Sequence, residues 1–133
     1  MEHYFRHPMN LIISSQTQGG KTEWVLKFCK HDILYPPPKR ILWCYTEFQD
    51  AYVSDNITFI EGFPDMEDII AHKHEPQLFI VDDMIDSLTS DSRLFQWFSK
   101  GSHHNNLSII VITQSLFYKN FGTAELMLTI WFY

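Results

Sequence analysis

An α/β fold with a mainly parallel sheet of about five strands and flanking helices is predicted by three observations. Apolar runs of strand length alternate with segments of helical length, which is the pattern of βαβ units. The chain of 133 residues is the size of one domain and long enough to bury a single core. Its composition, 45% hydrophobic and 20% charged, is that of a globular chain and excludes a disordered or low-complexity one.

Taken in order, the strands are expected near Asn10 to Ser14, Arg40 to Tyr45, Ile57 to Ile60, Gln77 to Asp82 and Leu107 to Thr113. Helices are expected over Gly20 to Lys30, Asp65 to His74 and Ser90 to Ser102, with a short one around Glu47 to Val53. In the first helix Trp24, Val25, Leu26 and Phe28 make a crowded apolar face, and in the third Leu94, Phe95, Trp97 and Phe98 do the same; both read as core. Pro36-Pro37-Pro38 is a stiff connector that ends the first helix and leads into the second strand. Gly62-Phe63-Pro64-Asp65 is a turn followed by a helix start, with Asp65 as N-cap. Leu126 to Tyr133 is a further apolar, strand-like segment with no polar tail after it.

The bulk chemistry narrows the possible roles. A formal net charge of -6, with no basic run longer than Lys39-Arg40, gives no cationic face of the kind that marks a free-standing nucleic-acid binder, so any DNA contact has to be local. Cys29 and Cys44 have no metal-like spacing and read as small buried hydrophobes in a reducing compartment. The N-terminus lacks the apolar stretch of a secretory signal, and no segment approaches the roughly 20 apolar residues that cross a bilayer. The expectation is a soluble, intracellular protein that is not secreted and has no membrane partner.

Three polar features interrupt this apolar framework, each at the end of a predicted strand. The first is Ser15-Gln16-Thr17-Gln18-Gly19-Gly20-Lys21-Thr22, set between the strand Leu11-Ile12-Ile13 and the helix that begins at Glu23-Trp24-Val25. Apart from Ser15 in place of the first glycine, it has the Walker A pattern. Backbone N–H groups of such a loop point at phosphate oxygens, and the helix dipole adds to the attraction. Lys21 would reach the β- and γ-phosphates of ATP, and the Thr22 hydroxyl would ligate Mg²⁺. Ser15 must adopt whatever backbone angles the glycine normally provides, at a cost of about 1 kcal/mol if they are left-handed.

The second feature is Leu78-Phe79-Ile80-Val81-Asp82-Asp83, four apolar residues ending in two carboxylates, which is the form of a Walker B strand. A strand buried on both faces ends in paired acids where water, a cation or another polar group meets them, and the carboxyl edge of an open α/β sheet is where ligands bind. Asp82 would hold Mg²⁺ through water, and Asp83 would orient and deprotonate the attacking water. The plainer alternative is that both acids cap the following turn. Two strand candidates, Arg40 to Tyr45 and Ile57 to Ile60, separate Lys21 from Asp82 in the sequence, which leaves room for a strand inserted between the two motif strands. The third feature is Gln114, after Ser108 to Thr113, where an amide can hydrogen-bond the γ-phosphate or the lytic water.

These three motifs in this order, with Lys100-Gly101-Ser102-His103-His104-Asn105-Asn106 before the third, resemble the genome-packaging ATPases of large DNA viruses and virus-like mobile elements, in the FtsK/HerA division of P-loop motors. The resemblance runs over roughly residues 11–117 and is most specific from Phe79 to Gln114. It implies a single P-loop ATPase domain over 1–133 with a RecA-like core, a hexameric ring, and ATP-driven translocation of double-stranded DNA into a capsid, with a capsid or portal protein as a further partner. It also implies residence in the host cytoplasm or nucleus, or in the virion. By the family pattern Lys21 and Thr22 match the Walker A pair, Asp82 and Asp83 the Walker B pair and Gln114 the sensor.

The chain departs from that pattern. Ser15 and Gln18 stand where the family usually has glycine, Asp83 stands where many members have Glu, and the expectation is a C-terminally truncated sheet without the family's final strands. Ring motors also act on the γ-phosphate with a cationic finger, for which Arg93 and Lys100 are the candidates. A metal reading of His103-His104 fails because adjacent histidines point in different directions and no third ligand lies at a suitable spacing. Lys100 to Asn106 reads better as a loop toward DNA or a neighbouring subunit. The alternative to a motor is a shortened relative that binds nucleotide or a partner without turnover. A small-molecule kinase fits less well, because kinases seldom need the adjacent Asp82-Asp83 pair.

Overall fold

The computed structural model describes residues 5–14, 20–31, 33–83, 105–113 and 127–131. The predicted helix over Ser90 to Ser102, the loop residues Ser15 to Gly19, and Arg93, Lys100, His103, His104 and Gln114 lie outside them.

The longest apolar runs form the centre of one sheet. β2 (Asn10–Ser14), β4 (Arg40–Tyr45), β6 (Gln77–Asp82) and β7 (Leu107–Thr113) occupy the predicted spans, and β5 (Thr58–Glu61) is displaced by one residue from its predicted span. With β8 (Met127–Trp131), which comes from the strand-like segment after residue 126, they make a six-stranded sheet in the order β5-β4-β6-β7-β2-β8. Every pairing in it is parallel. β6 and β7 are buried at every residue, as expected of strands covered on both faces. β5, with its outer residues exposed, lies at an edge.

Side-chain alternation divides the core into two layers. Leu11, Ile13, Ile41, Trp43, Leu78, Ile80, Ile110 and Ile112 face one side, where α1 (Lys21–Lys30) packs through Val25, Phe28 and Cys29. Ile12, Leu42, Cys44, Phe79, Val81, Ile109 and Val111 face the other, where α2 (Met66–Ala71) contributes Ile69. The result is an α/β architecture with a helix on each face of a parallel sheet. Both cysteines are buried and unoxidised, and burial pushes the Cys29 thiol up to about 12, so the core role expected of them holds.

Several expectations need correction. The strand inserted between β2 and β6 is β7; β4 and β5 lie beyond β6. The reason is visible in the side chains: a strand apolar along its whole length needs a neighbour and a covering layer on every side, and β7 meets this requirement better than the half-exposed β5. No helix forms over Glu47 to Val53. That stretch makes turns, with Tyr52 N–H donating to Gln49 O (3.0 Å) and Val53 N–H to Ala51 O (2.8 Å). Its aromatic and β-branched residues are weak helix formers. α2 is shorter than predicted because His72, Lys73 and Glu75 donate to carbonyls three residues back, ending the α-helical ladder. The Asp65 cap is present, its carboxylate accepting from Glu67 N–H at 3.1 Å. A two-residue parallel pair was not anticipated: β1 (Phe5–Arg6) lies against β3 (Leu34–Tyr35).

Candidate functional site at the carboxyl edge of the sheet

Because the strands are parallel, their carboxyl ends share one edge, and β7 standing between β2 and β6 sets the distance across it. α1 starts at this edge. Its N-cap, Gly20, has φ 87°, a left-handed angle that glycine adopts at no steric cost, and as a glycine it offers no side-chain cap. The first N–H groups of α1 therefore lie at the positive end of the helix dipole without a cap from the N-cap residue.

Lys21 opens that helix and is only 3% exposed. Its Nζ donates to the main-chain oxygen of Thr113, the last residue of β7, at 3.1 Å. Burial holds the ammonium below its usual pKa, while the charges of Asp83 and Asp82 pull the other way. The Thr22 hydroxyl, one residue on, donates to Asp82 Oδ2 at 3.3 Å. Asp82 is 4% exposed at the end of β6, and its carboxyl is pushed above the usual range by burial, against the hydrogen bonds it accepts. Asp83 is exposed, with φ 57°, and its N–H donates to Ile112 O at 2.8 Å. The chain thus leaves β6 by a sharp turn at Asp83 that keeps the second carboxylate at the edge. Asp83 belongs to an uncommon left-handed class in which short polar side chains are enriched.

Gly20, Lys21, Thr22, Tyr52, Asp82 and Asp83 line one cleft of about 490 Å³. The structure thus brings together Lys21, Thr22, Asp82 and Asp83 from two motifs sixty residues apart. Ser15, Gln16, Thr17, Gln18, Gly19 and Gln114 lie outside the described residues; Thr113, which precedes Gln114, is at the site. The described hydrogen bonds that Asp82 accepts come from the side chains of Thr22 and Tyr52, and the turn that follows Asp83 lies outside the described residues.

Tyr52 is the residue that sequence reasoning missed. Its hydroxyl donates to Asp82 Oδ2 at 2.6 Å, and its ring lies among Trp43, Tyr45, Phe48 and Phe59. A tyrosine in an aromatic-rich connection reads as core; the one available signal was its place shortly after the carboxyl end of a central strand. Among the described residues no three His, Cys, Asp or Glu side chains gather into a metal cluster, and no helix is long and apolar enough to cross a membrane. No protein-family description, curated protein or solved structure matches the chain.

Proposed function

We propose that the chain is a P-loop ATPase that binds the phosphates of ATP at the start of α1. The observation that carries this reading is the meeting of Lys21 and Thr22 with Asp82 across the inserted strand β7. A lysine is seldom buried unless paired, and here the main-chain oxygen of Thr113 holds the ammonium inside the cleft. A phosphate group placed over the N-terminus of α1 would bring a further negative charge to that ammonium.

The oxygen set suits magnesium. Thr22 Oγ1 and the Asp82 carboxylate are two hard donors side by side, and Mg²⁺ is commonly held by one or two protein oxygens together with phosphates and water. When bound, the ion supplies charge neutralisation at the phosphate oxygens. Asp83, exposed at the mouth of the same cleft, is the group proposed to orient and deprotonate the attacking water.

The same topology, in which one strand separates the two motif strands, supports a RecA-like core. Translocation of double-stranded DNA by a hexameric ring, and packaging into a capsid through a portal, follow from the resemblance of the motifs. ATP hydrolysis with and without double-stranded DNA tests the whole reading. Turnover stimulated by DNA and abolished in Lys21→Ala and Asp83→Asn is expected. Nucleotide binding with no turnover under any condition would replace the motor by a nucleotide-binding protein.

A further inference from the structure

We propose that Tyr52 is a positioning residue for the metal ion: its hydroxyl fixes the Asp82 carboxylate so that Asp82 and Thr22 present a preset pair of oxygens to a nucleotide-bound divalent cation. The inference rests on the nucleotide reading above and extends it to a residue outside both motifs.

Three observations carry it. The Tyr52 hydroxyl and the Thr22 hydroxyl both donate to the same atom, Asp82 Oδ2, at 2.6 and 3.3 Å. A carboxylate gripped twice through one oxygen has lost its freedom to turn about its last torsion, which is otherwise broad. The donor is itself immobilised. Tyr52 is 5% exposed, its ring is stacked on Phe59 at 18° with centroids 5.2 Å apart, and Phe48 meets it edge-on at 89°. Its main-chain N–H is tied to Gln49 O. Finally, Trp43, fully buried on β4, holds the Tyr52 ring from a further side, with centroids 5.5 Å apart.

The consequence concerns preorganisation. A short charge-assisted O–H···O⁻ bond is among the stronger hydrogen bonds in a protein, and it holds the ligand in place before the cation arrives. Ordering Asp82 in advance removes a cost that metal binding would otherwise meet. Tyr52 does not touch the nucleotide in this scheme, so its removal should weaken the metal and leave metal-free nucleotide binding alone.

The test uses Mn²⁺ as a paramagnetic stand-in for Mg²⁺, with a non-hydrolysable ATP analogue. Wild type, Tyr52→Phe, Asp82→Asn and the double variant are compared by electron paramagnetic resonance titration. Analogue affinity in the presence of a chelator is measured alongside. Tyr52→Phe keeps the ring in its aromatic setting and should weaken Mn²⁺ in the ternary complex about tenfold, with metal-free analogue binding within about twofold of wild type. In the Asp82→Asn background the same change should have no further effect, which separates positioning from a general loss of stability. Unchanged or tighter Mn²⁺ binding in Tyr52→Phe, or a loss that persists without Asp82, overturns the role of Tyr52 while the nucleotide reading stands. A wild-type chain that takes up neither analogue nor Mn²⁺ overturns both.

Discussion

The two edges of the parallel sheet both bury polar side chains but leave them in different states. At the amino edge the groups are matched within the protein. The two ring nitrogens of His7 meet Ser108 Oγ at 2.6 Å and Asn106 Oδ1 at 2.8 Å, and Ser108 Oγ also accepts from Met9 N–H. Gln77 Nε2 donates to Ile69 O and Asn105 O, and the Arg40 guanidinium is paired with Asp68. At the carboxyl edge, by contrast, a buried ammonium rests on a main-chain oxygen and a buried carboxylate is held by two hydroxyls. Polar groups at the first edge complete one another and fasten β1, α2 and β7 together. Those at the second, an ammonium and two carboxylates, are gathered around one open cleft.

The largest effect that would sharpen this contrast is on turnover. Asp83→Asn keeps the size of the side chain and removes the proposed base. Steady-state ATP hydrolysis should fall about a hundredfold or more, with nucleotide affinity within about twofold of wild type. A parallel loss of affinity would mean that Asp83 serves binding. Next comes Lys21→Ala. Removing a charge-assisted contact to phosphate should weaken nucleotide binding by about thirtyfold in calorimetric titration, and should leave the chain folded.

The amino edge should respond in stability and not in binding. His7→Ala strips Ser108 and Asn106 of a buried partner and should cost about 2 kcal/mol in chemical denaturation, with unchanged nucleotide affinity. Altered affinity would remove the distinction between the edges.

The smallest predicted effect is a difference in sign with pH. Burial holds His7 below its ordinary pKa of 6.5, so the unfolded chain takes up a proton that the folded one refuses. Its contribution is present above 6.5 and is lost as pH falls from there toward the depressed folded value. Asp82 behaves oppositely. Its folded pKa is raised above 3.8, so in the metal-free protein the cost of its burial is felt at neutral pH and is relieved as pH falls through the raised value toward 3.8. Asp82→Asn should therefore stabilise the metal-free chain at neutral pH, by an amount that shrinks on acidification. His7→Ala should flatten the loss of stability below 6.5. Thermal unfolding across pH checks both.

What the sequence disclosed follows from the length of the signals. β2, β4, β6 and β7 are unbroken apolar runs closed by polar residues, and their spans could be read directly. The meeting of Lys21, Thr22 and Asp82 could be read from motif spacing, because a strand and the turn after it fix where such residues emerge. The pairing of β1 with β3 could not, since two residues carry no periodicity. The place of β7 between β2 and β6 depends on long-range pairing, although the contrast between its full burial and the half-exposed β5 shows what a closer reading of apolar length could have found. Tyr52 was hidden for a different reason. Its bond to Asp82 spans 30 residues, and a tyrosine among Trp43, Tyr45, Phe48 and Phe59 has the appearance of packing, which it also supplies.

The central claim is that the carboxyl-edge cleft holds a nucleotide phosphate together with a divalent cation. Isothermal titration of the intact chain with a non-hydrolysable ATP analogue, in magnesium and then in chelator, tests it most directly. Saturable one-to-one binding that weakens at least tenfold without magnesium and about thirtyfold in Lys21→Ala is the predicted result. An isotherm with no binding in either buffer, or binding indifferent to both magnesium and Lys21, would contradict it.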